Sequence, residues 1–528
     1  MPAPKAIAIS SLNDPQTFSQ FDAAVVISDT LDSQQLGGVA PALEAQKRID
    51  ARVGKEICLL AHNELPGGRL LHVPTGRLDR YYDDVRRIFD VAHQAAGVMR
   101  EAGIEKPLLM VSLKVTDAKY AKALEAAFLG MTQALWQPLE ARESKGENTV
   151  EPIEYIGIVG LNDAQCGYLN AVEAGKRVAR DLCGTEPERM APPAFAQYCQ
   201  QAFAGSAVSV AVIDDDTTLR QDYPLLHAVA RASVKVERHQ PRVVRLTYTG
   251  SGPITKSLFL AGKGITFDTG GADLKVNGHM AGMSRDKGGA AAVAGLMRTL
   301  ADTQPKGLHV VAELGVVRNS IGSDAFVPDE IIQGHAGKRV RVGNTDAEGR
   351  MVLADVLSHL RELALDAAPD TQSEIFTMAT LTGHAAIAFG PYTGYVQNGV
   401  AEQANIAEQL VAAGALWGDM GEPSLSRRED YDFIRARTHA DDVLSSNNGP
   451  SATTPRGHQF PMAFLAIASG LDEHDLGSES PLAFTHVDIA GSGVEKGDWQ
   501  HGKPTAAPVT AFSAMYAMLD SVASAAAS

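Results

Sequence analysis

An α/β fold in two successive domains is what this chain of 528 residues predicts. Three observations carry that reading. Short apolar runs alternate with segments of helical period, the alternation restarts beyond a Gly/Pro turn, and the length exceeds what one hydrophobic core serves. In the N-terminal part, Ala23–Ile27, Ile57–Ala61, Leu108–Leu113 and Ile153–Val159 read as strands, and Tyr82–Ala102 and Ala118–Leu139 as helices. Strands separated by helices pair in parallel, so a mostly parallel sheet covered on both faces is expected.

Asn162 or Asp163 caps a helix running to about Leu182, which the turn Gly184-Thr185-Glu186-Pro187 stops. From Pro192 the alternation resumes with helix Ala194–Ala204, strands Ala207–Ile213, Val243–Thr249 and Lys256–Phe267, helix Gly288–Leu300 and strand Leu308–Val317. Helix Met351–Leu363, strand Glu374–Thr380 and helices Ala404–Ala413 and Pro461–Ser469 follow. The expected division is therefore an N-terminal α/β domain at 1–161, a connecting helix and linker at 162–190, and a larger α/β domain at 191–528. Leu444–Gln459, rich in Ser, Asn, Gly, Pro and Thr, reads as a long loop of the kind that borders sites. The Ala-rich Ser521–Ser528 reads as a frayed end.

With 45% hydrophobic and 21% charged residues the chain has a globular composition. Its net charge of -16 gives a nucleic-acid backbone little to bind, so no nucleic-acid partner is expected. The four cysteines, Cys58, Cys166, Cys183 and Cys199, are too few and too uneven for a disulfide framework and fit a reducing compartment. Met1–Phe21 lacks the basic start and apolar block of a secretory signal, and no apolar run reaches the roughly 18 residues of a membrane span. A cytoplasmic protein without membrane contact is the expectation.

Two short segments concentrate the chemistry. Gly262-Lys-Gly-Ile-Thr-Phe-Asp-Thr-Gly-Gly follows an apolar strand, which places Asp268 where the strand ends and ligands of α/β sheets sit. Lys275 and Asp286 come next, and Asn344-Thr-Asp-Ala-Glu-Gly-Arg adds Asp346, Glu348 and Arg350. Either segment alone fits an ordinary turn or a solvated charge cluster. Together they put four carboxylates on strand-end loops, where repulsion and lost hydration demand compensation. Two divalent cations sharing the carboxylates would supply it and would generate a nucleophilic water. Oxygen-rich ligation admits zinc, manganese or magnesium.

Both segments closely resemble the signatures of the leucyl aminopeptidase (cytosolic aminopeptidase) family. The similarity extends over roughly residues 170 to 515 through Val178-Ala-Arg-Asp-Leu, Ala379-Thr-Leu-Thr-Gly and His486-Val-Asp-Ile-Ala. It implies a catalytic domain with a central mixed sheet and two metal ions held by Lys263, Asp268, Asp286, Asp346 and Glu348. It further implies Lys275 as the group that polarises the scissile carbonyl or stabilises the oxyanion, and Arg350 as the seat of a bicarbonate acting as general base. Met283, Thr380, Leu381 and Gly383 match positions around the pocket for the first side chain. The implied activity is release of N-terminal residues from peptides with a free N-terminus, by a homohexamer.

Some positions depart from the family pattern. Thr269 stands where Ser is common, Ala272-Asp273-Leu274-Lys275 replaces Leu-Ser-Leu-Lys, Lys287 replaces Met, and Val317-Arg318-Asn319-Ser320 replaces a Glu-Asn stretch. Asp273 is expected to act on the pKa of Lys275. The competing readings are a catalytically silent relative, which the complete ligand set opposes, and an aspartic protease on Asp268-Thr269-Gly270, which needs a second such triplet and an all-β body. His279, His335, His384 and His486 are scattered and read as structural.

Overall fold

The computed structural model describes residues 4–10, 19–368 and 370–518; Ser521–Ser528 lies outside them. The chain forms two compact units, one running to Ala174 and including Gly414–Asp419, the other comprising Gly175–Ala413 and the residues from Met420 onward.

The first unit is built on six strands: β1 (Lys5–Ile9), β2 (Ala23–Ser28), β3 (Cys58–Ala61), β4 (Arg69–Pro74), β5 (Pro107–Ser112) and β6 (Tyr155–Val159). Their order is β1-β6-β5-β2-β4-β3, with every pair parallel except β3 with β4. β2 is buried throughout, as a central parallel strand must be. The two helices read from periodicity are present but shorter, at Arg86–Glu101 and Ala123–Leu135. Pro138 ends the pattern that the second was expected to continue, because a proline excludes the preceding residue from the helical region.

β4 was not legible as a strand, and it carries a buried His72 whose Nε2 lies 3.0 Å from Ser28 Oγ. Burial pushes this imidazole down to about 4, so it is neutral in the folded protein. As pH falls below the unfolded value of about 6.5, the unfolded chain gains a proton that the folded one refuses, and stability drops towards pH 4. A His72→Leu variant should lose less stability on acidification across this window, by at most on the order of 3 kcal/mol in urea unfolding. An identical slope would assign the acid sensitivity to other groups.

The second unit contains β7 (Val208–Ile213), β8 (Arg242–Thr249), β9 (Lys256–Asp268), β10 (Leu308–Asn319), β11 (Ile331–Gln333), β12 (Arg339–Arg341), β13 (Gln372–Ala379), β14 (Thr393–Gln397), β15 (Gly421–Leu425), β16 (Val443–Leu444) and β17 (Ala483–Asp488). Eight of them form a sheet in the order β15-β14-β17-β13-β9-β10-β8-β7; β11, β12 and β16 form a small separate one. Antiparallel pairing of β14 with β17, β10 with β8 and β8 with β7 makes the large sheet mixed, as the family resemblance implied.

β9, the longest strand, lies between β10 and β13, parallel to both. Its side chains alternate between two helices. A Cβ on Gly262 would stand 2.7 Å from Cα of Ala290, in the helix Gly288–Thr303. The next residue, Lys263, reaches Gly349, in the helix Glu348–Leu365, on the other face. That second helix buries Met351, Val352, Leu353, Val356, Leu357 and Leu360 in a core shared with Phe259, Ile265 and Ile375 of the sheet. Both helices thus begin beside the middle of β9, level with the carboxyl end of β13. All four cysteines are free. Among the described residues no helix is long and apolar enough to cross a membrane.

Candidate metal centre

Lys263 sits inside β9 with its side chain 4% exposed. Its Nζ donates to Asp286 Oδ1 at 2.9 Å and to the Thr380 carbonyl at 3.0 Å, and lies 3.1 Å from Glu348 Oε1. Asp268 closes the same strand. Its Oδ1 accepts from Gly270 N and Asn319 Nδ2, both at 2.8 Å, and its Oδ2 lies 2.9 Å from Lys275 Nζ. Lys275 also pairs with Asp346 Oδ1. Asp286, just before the helix Gly288–Thr303, accepts from Thr380 Oγ1 at 2.7 Å. Asp346 lies in the turn Thr345–Ala347, which Asn344 caps, and Glu348 opens the following helix.

The structure therefore joins Lys263, Asp268, Lys275, Asp286, Asp346 and Glu348 into one network, with Thr380 at its edge. One oxygen each of Asp268, Asp346 and Glu348 lies within 4.8 Å of the others.

Four carboxylates face two ammonium groups here, and the protonation tendencies show the imbalance. Burial, together with repulsion from neighbouring acids, drives Asp286 well above the usual carboxylate range, Glu348 above it, and Asp346 to about 7. Burial opposes the charge on Lys263 and Lys275, but the surrounding carboxylates outweigh it and raise both. Asp286 Oδ2 and Glu348 Oε2 are buried and accept no hydrogen bond, and Glu348 Oε1 has the Lys263 ammonium beside it at 3.1 Å. Buried acceptors without donors are costly, and oxygens of this kind beside an amine suit divalent cations. The residues present fit such ions.

Arg350 is fully buried in the first turn of its helix. It donates from Nη1 to the Ser445 carbonyl at 2.9 Å and lies 5.0 Å from the Phe460 ring centre. Burial lowers its guanidinium to about 10, and its Nε has no partner. Met283 is half-buried, and its carbonyl receives Asp286 N at 3.3 Å. Leu381 packs against the core, with its N–H on Asp488 Oδ1 at 3.2 Å, and Gly383 N donates to Ser451 Oγ at 3.1 Å.

The departing positions have partners of their own. Lys287 is buried, with Nζ donating to the carbonyls of Thr185, at 2.8 Å, and Ser284. Arg318 pairs with Glu188 at 3.0 Å, beside Arg238 at 2.6 Å. Asp273 accepts Thr345 N at 2.7 Å, and is not among the groups that dominate the shift of Lys275. Sequence reasoning passed over Asn319 and Asp488 as holders of the site. A second grouping, His335, His359 and Glu362, lies apart; its imidazoles stack with centroids 3.8 Å apart and Arg361 pairs with Glu362.

A carboxylate–lysine network at the carboxyl edge of a mixed α/β sheet is the layout of a metallohydrolase. Residues 177–513 match the family model described as the cytosol aminopeptidase family, catalytic domain. The chain belongs to the cytosol aminopeptidase family, whose members are metal-dependent aminopeptidases. It is 36% identical over 500 residues to a putative aminopeptidase of Caenorhabditis elegans, across 92% of this chain and 93% of that protein. In fold it is similar to the leucyl aminopeptidase from Trypanosoma brucei in complex with actinonin, with a TM-score of 0.78 at 20% identity, covering 97% of this chain and 96% of that one. It is also similar to the bottromycin maturation enzyme BotP in complex with Mn, with a TM-score of 0.74 at 22% identity, covering 94% and 99%.

Proposed function

We propose that this aminopeptidase works through two divalent ions held by Lys263, Asp268, Asp286, Asp346 and Glu348, with Lys275 and Arg350 as its catalytic residues. The buried, donorless Oδ2 of Asp286 and Oε2 of Glu348 carry the reading. When bound, the ions supply a water made nucleophilic at neutral pH and a Lewis acid for the scissile carbonyl. Zinc or manganese suits the donor set best, magnesium remains compatible, and the Mn complex of BotP supports a place for manganese.

Lys263 joins the set as a neutral amine, the form that a neighbouring cation favours. Lys275 brings an ammonium group to the same edge and stabilises the negative charge that develops on the carbonyl oxygen. Arg350 offers a buried guanidinium with an unpaired Nε, suited to seat the bicarbonate that serves as general base. Capture of a free α-amino group beside the centre restricts cleavage to the first peptide bond. Met283, Thr380, Leu381 and Gly383 surround the first side chain. The resemblance supports a homohexamer in the cytoplasm that acts on peptides with a free N-terminus.

The test is hydrolysis of a panel of aminoacyl-amidomethylcoumarins by metal-stripped protein, with and without zinc, manganese or magnesium. Release that depends on added metal is expected, with the panel ranking side-chain preference. Turnover that persists after stripping would reject the metal mechanism.

A further inference from the structure

The segment that carries Lys275 has few means of staying in place. Its apolar side chains give it little burial, with Leu274 42% and Val276 58% exposed. Lys275 N donates to the Thr269 carbonyl at 2.9 Å, which closes the segment on itself and on nothing across the site.

Asp273 makes the bridge. Its Oδ2 accepts Thr345 N at 2.7 Å, and its own N–H donates to Thr345 Oγ1 at 2.8 Å. Thr345 is fully buried, and its remaining polar atoms are also engaged: the hydroxyl donates to the Gly270 carbonyl at 2.7 Å and its carbonyl accepts Asn319 Nδ2 at 3.1 Å. Thr345 immediately precedes Asp346, and Asp273 stands two residues before Lys275. A reciprocal pair of bonds between 273 and 345 therefore sets how far Lys275 Nζ stands from Asp346.

We propose that Asp273 is a positioning residue for the aminopeptidase reaction, clasping Thr345 so that the Lys275 ammonium is held at a fixed reach from the metal-binding carboxylates. The inference rests on the role assigned to Lys275 above. Thr345 keeps its bonds to Gly270 and Asn319 when the clasp opens, and Asp268 keeps its bond from Asn319. Losing the Asp273 carboxylate removes the acceptor for Thr345 N and leaves only the 273 N–H on Thr345 Oγ1, which loosens the lysine loop and leaves the carboxylates where they are.

That asymmetry sets the test, made on the manganese-loaded full chain with one aminoacyl-amidomethylcoumarin and with calorimetric titration of manganese. Asp273→Ala should lower kcat by about 10-fold, since small misplacements of a catalytic group cost that much or more, while KM and manganese affinity stay at the wild-type values. Asp273→Asn, which keeps an acceptor for Thr345 N, should recover most of the rate. Equal losses in both variants would replace the clasp with a charge effect and overturn the proposal, as would a fall in manganese affinity that matches the fall in kcat. Wild-type turnover by Asp273→Ala also overturns it; with Lys275→Ala slowed by about 10²-fold or more, the catalytic role of Lys275 would stand regardless.

Discussion

Lys275→Ala protein folds, takes up its metal and turns substrate over at a rate lower by about 10²–10³-fold, the loss typical of removing one group that stabilises a developing oxyanion. Stability should hardly move. The lysine sits on a loop with little burial; of its partners, Asp268 keeps its bonds from Gly270 N and Asn319 Nδ2, and Asp346 keeps its N–H on Asn344 Oδ1. Removing a cation from an acidic cluster leaves more charge for divalent ions, so manganese affinity should hold or rise. Calorimetric titration and steady-state kinetics together check this. A variant that loses metal and rate in parallel would make Lys275 a support for the cluster, and one with full kcat would remove it from the chemistry.

The second large effect comes from one methyl group. Gly349 lies between Glu348 and Arg350, and a Cβ there would stand 2.3 Å from Cε, 2.6 Å from Cδ and 2.7 Å from Nζ of Lys263. Alanine is the better helix former by about 1 kcal/mol, and the obstructing atoms are the end of a flexible side chain. Gly349→Ala should therefore fold with its thermal midpoint near or above that of the wild type. The methyl group displaces the Lys263 amine from Asp286 and Glu348, so manganese binding should weaken and kcat/KM fall by about 10²-fold or more. An active Gly349→Ala protein would show that Lys263 is no ligand.

Much of the catalytic unit was legible because its strands are long apolar runs. β9 was read to Phe267 and ends at Asp268, and β7 and β8 were each placed to within a residue. Polar ends were less visible. β10 continues past Val317 to Asn319, which pairs in register with Asp268, and the helix read from Met351 begins at Glu348. The apolar pattern starts one turn after the residues that matter. β1, β4, β14 and β15 were not read as strands, although β3 and β6, which are not longer than these, were. Candidate ligands stood out because two segments concentrate the acids. The groups that hold them did not: Asn319 reaches Asp268 through the β9–β10 register, and Asp488 takes Leu381 N and the Thr382 hydroxyl through the β13–β17 pairing. Both depend on topology, which no local window contains.

The alternation of β9 between two helices also constrains how this chain can drift. Gly262 meets Ala290 with no room for a methyl group, Lys263 fills the space above Gly349, and a Cβ on Gly264 would stand 2.8 Å from the Gly315 carbonyl oxygen. A coding change at any of the three strikes folding or chemistry at once, so this stretch offers no neutral path to an inactive but stable descendant. The loop from Ala272 to Val276 stands in solvent and does offer one. Descendants that keep the scaffold and abandon the reaction should carry their first substitutions there, with the strand intact.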